Sequence, residues 1–312
     1  MSLDVNPYGP PASGSRVPWE RVHPAARAGV EEFLGAPVAE AVTQSGGFSP
    51  AAAVRVRAAN GRRAFVKAVG PQPNSEAVAI YRAEARNAAG LPPSAPAPRL
   101  LTSFEAAGWV VLVFEDVAGR HPATPWRRDE LDLVLAAVRR MSAELTPAPI
   151  PAPTVGDGFA ESFTGWRRLL GEDTTGLDPW ALRHLDELAG LESGWAEVAA
   201  GDTLLHADLR ADNILLADGR VYVVDWPWAC VGAAWFDLVC MLPSVGMQGG
   251  PPPDELLPDP DPAVTMVLAA VAGYLVRHGR LPAPPGLPTL RPFQRAQGVV
   301  ALGWLRRRTG WS

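Results

Sequence analysis

Cysteine, lysine and long apolar runs are what this sequence has least of. Its only cysteines, Cys230 and Cys240, are too few to hold together a disulfide scaffold. No apolar run reaches the roughly 18 residues that a membrane-spanning helix needs, and the first residues lack the pattern of a secretory signal. These absences predict a chain without a membrane span that works in the reducing cytoplasm.

Positive charge is also scarce. The 312 residues carry 28 lysines and arginines against 33 aspartates and glutamates, a formal net charge of −5. A protein dedicated to nucleic acids has a basic excess, so the composition argues against that class and predicts no nucleic-acid partner. Hydrophobic residues make up 47% of the chain, which excludes global disorder. The length suits two lobes or domains.

The near absence of lysine singles out one position. Of the 28 basic residues, only Lys67 is a lysine, and the rest are arginine, as expected from a coding bias toward GC-rich codons. A lysine retained against that bias indicates a position where a compact ammonium serves and a planar guanidinium does not. Its neighbours over 64–69 are apolar, which predicts a buried strand. Chance survival of one surface lysine is the alternative.

The character of the chain changes near residue 117. Residues 1–18 are rich in proline, glycine and serine and are predicted to form a disordered tail. Strands are predicted between 38 and 115, with a hairpin turn at Asn60-Gly61 and one helix over 75–89 that Gly90 ends. Helical spacing then dominates, with helices predicted over 129–144, 161–170, 179–199, 234–242, 263–277 and 290–307, interrupted by β segments at 204–205 and 214–225. The sequence therefore predicts an N-terminal lobe over 19–117 and a helical lobe over 118–312.

The most informative segment runs from 204 to 226. A short apolar strand delivers His206 and Asp208 into a loop, and Asn213 lies five residues after Asp208. A predicted hairpin then brings Asp225 back, twelve residues after Asn213. Carboxylate and amide oxygens are ligands that Mg²⁺ accepts, and this ion usually leaves room for phosphate oxygens. A carboxylate that the metal does not need could orient a hydroxyl and accept its proton.

This pattern resembles the catalytic loop of the kinase-like superfamily, and most narrowly that of the aminoglycoside phosphotransferase and choline kinase family. Residues 226–228 read Trp-Pro-Trp, and only 11 residues separate Asp225 from Asp237. A protein kinase, the alternative, would carry a longer activation segment there. The resemblance implies an α+β, two-lobed protein-kinase-like fold with a small β-rich N-terminal lobe and a larger helical C-terminal lobe. By the same resemblance, His206 and Asp237 would brace the loop.

The resemblance also implies an activity: phosphorylation of a small-molecule hydroxyl with ATP or another nucleoside triphosphate. Asp208 would align the acceptor hydroxyl, and Asn213 and Asp225 would bind Mg²⁺. Arg210 stands where aminoglycoside phosphotransferases commonly carry His, and it would neutralise charge on the transferred phosphoryl group. A surface salt bridge is the alternative for Arg210. Asp212 is expected to be a solvated loop residue.

The N-terminal lobe would supply the nucleotide-binding half of the site. By the resemblance, Lys67 on the third strand would bind the α- and β-phosphates, with a carboxylate partner on the following helix. Glu84, in the sequence Tyr-Arg-Ala-Glu-Ala, is favoured over Glu76 for that pairing. The segment Ser45-Gly46-Gly47-Phe48-Ser49 stands where the family has its phosphate-covering loop. Its backbone N–H groups could contact phosphate oxygens, although an ordinary turn is the alternative.

The strand that ends at Phe114 leads into the predicted hinge. By the resemblance, the Glu115 carbonyl and the Val117 N–H would pair with the adenine base, and Phe114 would form a wall of its pocket. Core packing alone is the alternative reading of Phe114.

Charge asymmetry gives the prediction for the acceptor. Residues 1–150 hold 16 basic and 14 acidic residues, whereas residues 151–312 hold 12 basic and 19 acidic ones. An acidic helical lobe would attract a cationic, aminoglycoside-like acceptor. Macrolides, amino alcohols and sugars are the alternatives that the resemblance leaves open. A nucleotide-binding pseudokinase is a further alternative, but every presumed catalytic position is filled.

Overall fold

The computed structural model describes residues 9–12, 16–48, 51–71 and 75–312. The strands of these residues are β1 (Val38–Thr43), β2 (Ala52–Ala58), β3 (Arg63–Val69), β4 (Leu100–Ala106), β5 (Trp109–Phe114), β6 (Thr203–Leu205), β7 (Ile214–Ala217), β8 (Arg220–Val223) and β9 (Cys230–Gly232). The helices are α1 (Pro24–Leu34), α2 (Ser75–Gly90), α3 (Arg128–Glu144), α4 (Val155–Phe159), α5 (Gly165–Leu169), α6 (Pro179–Arg183), α7 (Leu185–Ser193), α8 (Trp195–Val198), α9 (Phe236–Met247), α10 (Pro253–Leu256), α11 (Pro262–His278) and α12 (Leu290–Thr309). Short 3-10 turns cover Trp19–Arg21 and Ala211–Asn213.

The N-terminal half forms an antiparallel five-stranded sheet in the order β1-β2-β3-β5-β4. The predicted hairpin turn joins β2 to β3, and Gly61 adopts the φ of 87° that such a turn requires. Lys67 pairs in register with Ala53 on one side and Leu112 on the other. The lysine therefore lies in an interior strand of the sheet, as predicted.

The alternation of side chains along the strands decides which helix each residue meets. On β3, Ala64, Val66 and Ala68 pack with α1 on one face of the sheet. Phe65 and Val69 pack with α2 on the opposite face. Because Lys67 is two residues from both Phe65 and Val69, its side chain lies on the same face of the sheet and faces α2.

The C-terminal half is built around α11, which packs against α5, α7, α8, α9 and α12. Large side chains fill its core: Trp166, Trp180 and Trp304 are almost completely buried, and the Trp166 indole N–H donates to the Ala269 carbonyl at 2.8 Å. Two short antiparallel ribbons, β6 with β9 and β7 with β8, lie on this half. Among the residues described, no helix is both long and apolar enough to cross a bilayer.

The predicted α+β architecture, a small sheet lobe followed by a helical lobe, is confirmed. The single helix predicted over 179–199 is wrong, because the chain forms α6, α7 and α8 there. A Cβ at Gly194, between α7 and α8, would lie 2.2 Å from Met266 Cε of α11, so a larger residue there would require the Met266 side chain to move. Gly90 is the last residue of α2 rather than a left-handed cap. The helix predicted over 161–170 is shorter than expected, since α5 begins at Gly165.

Part of the predicted disordered tail, residues 1–8 and 13–15, lies outside the described residues. Within the described part, the Val17 N–H donates to the Ala51 carbonyl at 3.3 Å, and Trp19 is buried in the core of the sheet lobe. The chain from residue 16 onward therefore packs on the sheet. The lobe boundary predicted at 117 to 118 stays a prediction.

Candidate active site

The buried ammonium of Lys67 joins the two halves of the molecule. Lys67 Nζ lies 2.5 Å from Glu84 Oε2 on α2 and 2.8 Å from Asp225 Oδ1, which follows β8. Tyr81, one helical turn before Glu84, places its ring 5.1 Å from the same nitrogen. Glu84 is therefore the observed partner of the lysine, whereas Glu76 lies on an exposed part of α2.

Charge in this cluster is stabilised by pairing. Burial disfavours the charged ammonium, but the carboxylates of Asp225 and Glu84 outweigh it and raise the pKa of Lys67 above its ordinary value. Burial likewise opposes ionisation of Asp225, yet Lys67 keeps the pKa of that carboxyl below its ordinary value. The pair is thus ionic at neutral pH. Removing the lysine would leave the buried carboxylate of Glu84 and the partly exposed one of Asp225 without the charge that balances them.

The loop after β6 is braced from beneath by Asp237, at the start of α9. Its carboxylate accepts the backbone N–H groups of His206 at 2.9 Å and Ala207 at 2.7 Å. Ala207 has a φ of 65°, a strained value for a residue with a Cβ, and functional sites are where such strain concentrates. These two bonds hold the chain in its sharp bend.

His206 braces the same loop from within. Burial lowers its pKa to about 4, so the ring is neutral. Its Nε2 lies 2.9 Å from the Val224 carbonyl, and its Nδ1 accepts the Asp208 N–H at 3.2 Å. A neutral ring with the proton on Nε2 satisfies both contacts. His206 therefore ties the loop to the strand that carries Asp225.

Asp208 lies in the bend with its carboxylate held from two sides. Asn213, in the 3-10 turn, donates through Nδ2 to the Asp208 carbonyl at 2.8 Å and to Oδ2 at 3.1 Å. Arg210 contacts the other carboxylate oxygen. Burial raises the pKa of Asp208 to about 6, close to the range in which a carboxylate can exchange a proton with a hydroxyl.

Asp225 returns to the site through the β7–β8 hairpin. The Val224 N–H donates to the Asn213 carbonyl at 2.9 Å, so the ends of the hairpin are tied together next to the site. Asp225 itself has a φ of 66°, a second strained residue close to Ala207. Its side chain keeps 38% exposure, so the carboxylate faces both Lys67 and solvent.

Comparison with known proteins fixes the class of enzyme. Residues 41–259 match the model of a family described as the phosphotransferase enzyme family, which is more than two thirds of the chain. This chain belongs to that family. The predicted resemblance and the predicted class, a small-molecule phosphotransferase, are thereby confirmed. No curated protein sequence matches the chain.

Solved structures similar to this phosphotransferase include a thermostable mutant of aminoglycoside phosphotransferase APH(4)-Ia in complex with ADP and hygromycin B. The TM-score is 0.61 at 18% identity, over 92% of this chain and 99% of that one. A choline/ethanolamine kinase family protein from Mesorhizobium loti aligns with a TM-score of 0.57 at 18% identity, over 90% and 98% of the two chains. A putative fructosamine-3-kinase from Haemophilus somnus gives 0.51 at 14%, over 92% and 97%. At these identities the likeness establishes the kinase-like fold.

The predicted phosphate loop of the phosphotransferase lies between β1 and β2. Gly46 and Gly47 have φ values of 102° and 70°, which favour glycine, and a Cβ at Gly47 would lie 2.9 Å from an Arg16 nitrogen. The Arg16 guanidinium contacts the Gly46 carbonyl and contributes to the low pKa of Asp225. Ser45 is described, whereas the final residue of the predicted loop, Ser49, lies outside the described residues.

Arg210 lies within the site rather than on an open surface. Its guanidinium binds Asp212 through two bonds of 3.0 Å and also contacts Asp208, with 17% of its side chain exposed. Asp212 is therefore not a solvated loop residue as predicted, because its carboxylate is committed to Arg210 and is 14% exposed. The role of Arg210 in charge neutralisation stays a prediction.

The predicted hinge follows β5. Phe114 is two residues from Leu112 and four from Val110, so it lies on the α2 face of the sheet, the face that carries Lys67. Among the described residues, neither the Glu115 carbonyl nor the Val117 N–H has a hydrogen-bond partner. Both groups are thus available for an external ligand.

Two contributors to the site were missed by sequence reasoning. Arg16 falls in the proline-rich segment predicted to be disordered. Phe293, on α12, places its ring 5.2 Å from that of Phe48 in the phosphate loop and 6.0 Å from the Arg210 guanidinium. Neither residue belongs to a motif, and both reach the site only through long-range packing, so the sequence carries no local signal for them.

Proposed function

We propose that this phosphotransferase transfers the γ-phosphoryl group of ATP to a hydroxyl of a small molecule. One observation carries the proposal: Lys67 and Asp225, 158 positions apart, meet at 2.8 Å beside a braced loop that holds Asp208. A lysine paired with a helix glutamate, next to two further carboxylates, is an arrangement that phosphoryl transfer can use for positioning and charge neutralisation.

The nucleotide would bind between the sheet lobe and the loop that carries Asp208. Lys67, oriented by Glu84, would bind the α- and β-phosphates, and the backbone of Gly46 and Gly47 would approach their oxygens. The Glu115 carbonyl and the Val117 N–H, which have no hydrogen-bond partner within the described part of the chain, fit a base that both donates and accepts hydrogen bonds. A phosphotransferase neighbour of the same fold was solved with ADP, which supports ATP as the donor.

The donor set next to Lys67 fits a magnesium ion. Asn213 is bonded to Asp208 through its amide nitrogen, so its amide oxygen is the atom available to a metal. Asp225 binds Lys67 through Oδ1, so its second carboxylate oxygen would be the other protein ligand of the metal. Two protein oxygens suit Mg²⁺, which keeps waters and substrate phosphates in its shell. When bound, this ion would neutralise charge on the phosphate oxygens.

Asp208 would align the acceptor and take its proton. The acceptor oxygen forms a bond to the γ-phosphorus while the bond to the β–γ bridging oxygen breaks, and ADP leaves. The hydroxyl proton passes to the Asp208 carboxylate, whose raised pKa of about 6 suits that task. Arg210, in contact with Asp208, would lower the charge that builds up around the transferred group.

The experiment that tests this function measures ADP formation with ATP and Mg²⁺ across a panel of hydroxyl compounds. We expect one class of compound to raise the rate well above that with water, with product identified by mass as the acceptor plus one phosphoryl group. Nucleotide binding without any acceptor-dependent turnover would instead indicate a pseudokinase. Phosphorylation of protein substrates alone would indicate a protein kinase. Either result would overturn the proposal.

A further inference from the structure

Arg55 joins strand β2 to the predicted hinge, 61 positions further along the chain. Its side chain lies on the face of the sheet opposite α1, because its neighbours Val54 and Val56 pack with that helix. Arg55 Nε donates to Asp116 Oδ1 at 2.6 Å, and Arg55 Nη2 donates to the Val117 carbonyl at 3.0 Å. One planar guanidinium therefore holds a side chain and a backbone group of the hinge at the same time.

The carboxylate that Arg55 binds is buried and has a second cation beside it. Only 4% of the Asp116 side chain is exposed, against 26% of the Arg55 side chain. Arg63 donates to the other carboxylate oxygen of Asp116 at 2.8 Å, from a side chain that is 58% exposed. Asp116 would remain paired if Arg55 were replaced, so the Arg55 guanidinium can be removed without leaving a buried charge alone.

The Val117 carbonyl already has two hydrogen-bond donors. A carbonyl oxygen has two lone pairs, and the Val117 oxygen accepts from Arg55 and from the Gly119 N–H, the latter at 2.8 Å. Within the described part of the chain, the Glu115 carbonyl and the Val117 N–H have no such partner. The hinge therefore offers a ligand one acceptor and one donor, and Arg55 closes what would be a second acceptor.

The two purine bases differ in the groups that they would bring to this hinge. Adenine carries one donor, its 6-amino group, next to one acceptor, N1. Guanine carries one acceptor, O6, next to two donors, N1–H and the 2-amino group. One acceptor and one donor on the protein complement adenine. Guanine would need a second acceptor, and without it one of its donors would lose water and remain unpaired, which weakens binding.

We infer that Arg55 is a specificity-determining residue, which makes this phosphotransferase bind ATP in preference to GTP because it occupies the Val117 carbonyl. The inference rests on the proposed function, which places the base at the hinge. Arg55 acts through the backbone of the hinge and not on the reacting groups, so it is a positioning residue. The phosphates and the ribose are the same in the two nucleotides, so a difference in their affinity reports the base alone.

The Kd values of ATP and GTP, measured by calorimetry with Mg²⁺, test the inference without an acceptor. We expect the parent protein to bind ATP at least about tenfold more tightly than GTP. Arg55→Met keeps an apolar stem but removes both donors, which opens the Val117 carbonyl to a donor of guanine. It should lower the ratio of the GTP Kd to the ATP Kd by about tenfold. A general loss of stability would weaken both nucleotides by the same factor and would not move this ratio.

The matched control is Arg57→Met, which removes the same charge two residues further along β2, from an arginine bonded to Glu40. It should keep the ratio of the parent protein. Arg55→Lys is a second variant, which keeps the charge beside Asp116 but has one nitrogen in place of the planar fork, and it should also lower the ratio.

Three results separate this inference from the proposed function. A parent protein that binds GTP as tightly as ATP, or a ratio that neither Arg55 variant moves, would overturn the inference and leave the phosphotransferase activity in place. The expected ratios without acceptor-dependent turnover would support the inference and overturn the proposed function. If neither nucleotide binds, both fail.

Discussion

Lys67→Arg is the substitution that tests most directly why one lysine stands among so many arginines. Lys67 Nζ makes two short contacts, 2.5 Å to Glu84 and 2.8 Å to Asp225, and only 8% of the side chain is exposed. A guanidinium keeps the charge, but its planar fork is wider than the space that a single nitrogen fills. It should therefore lose the geometry of at least one of these bonds, or displace the phosphates that Lys67 would bind.

A hydrogen bond to a charged group contributes about 1.5–3 kcal/mol. Losing one of them in the transition state lowers the catalytic efficiency toward ATP by about 10- to 150-fold. Folding should be much less affected, because the charge and most of the aliphatic stem remain, and Asp225 is exposed enough for the guanidinium to shift toward solvent. We expect the melting temperature without ligand to fall by less than about 4 °C.

The assay pairs melting temperature with kcat/KM for ATP. Arg63→Lys is the matched control, because it also replaces one type of cation by the other on β3. The Arg63 side chain is 58% exposed and bonded to Asp116. The control should keep the efficiency of the parent protein. Parent-like efficiency in the Lys67→Arg variant, or an equal loss in the control, would show that Lys67 is an ordinary strand residue and would refute the reasoning.

Three further predictions address the other parts of the site. Asp208→Asn should leave ATP binding nearly intact by calorimetry but reduce turnover by orders of magnitude. In the parent protein kcat/KM should fall as the pH drops through about 6, because the carboxylate of the free enzyme must be ionised to accept a proton, and a kcat/KM that does not fall around this pH would contradict the role. Asp225→Ala should abolish the tightening of ATP binding by Mg²⁺, and an equal Mg²⁺ effect in the variant would place the metal elsewhere. Phe48→Ala and Phe293→Ala should raise KM for ATP with a coupling of about 0.5–1.5 kcal/mol in a double-mutant cycle, whereas additive effects would show that the ring contact plays no part.

The parts of the site that the sequence predicts are those that a short stretch of chain determines. The position of Lys67 on the α2 face follows from the two-residue alternation of β3. The resemblance to the family favoured Glu84 over Glu76 as its partner, and the structure pairs Lys67 with Glu84. The bend that holds Asp208 and Asn213 lies within eight residues of His206. In each case the partners are on the same element or on neighbouring ones, where a motif of fixed spacing can be recognised.

The parts that the sequence does not predict depend on packing between distant segments. Arg16 approaches the phosphate loop across 30 positions, and Phe293 approaches Phe48 from the other end of the chain. Strand β9 has only three residues, too few to show a periodic pattern, yet it pairs with β6 beneath the loop. The helix predicted over 179–199 is interrupted at His184 and at Gly194, where the Met266 side chain of α11 approaches, and the periodicity of the sequence does not predict either interruption.

The difference between local motifs and long-range packing also explains why the sequence predicts the class of reaction more readily than the acceptor. The groups that would handle the phosphoryl transfer, Asp208, Asn213 and Asp225, lie within one segment of 18 residues with fixed spacing. Phe293, whose ring lies 6.0 Å from the Arg210 guanidinium, is on α12, 68 residues beyond Asp225 in the chain. A change on α12 can therefore alter the surroundings of Arg210 without touching the catalytic segment. Contacts of this kind depend on the packing of distant helices, which no motif of fixed spacing predicts.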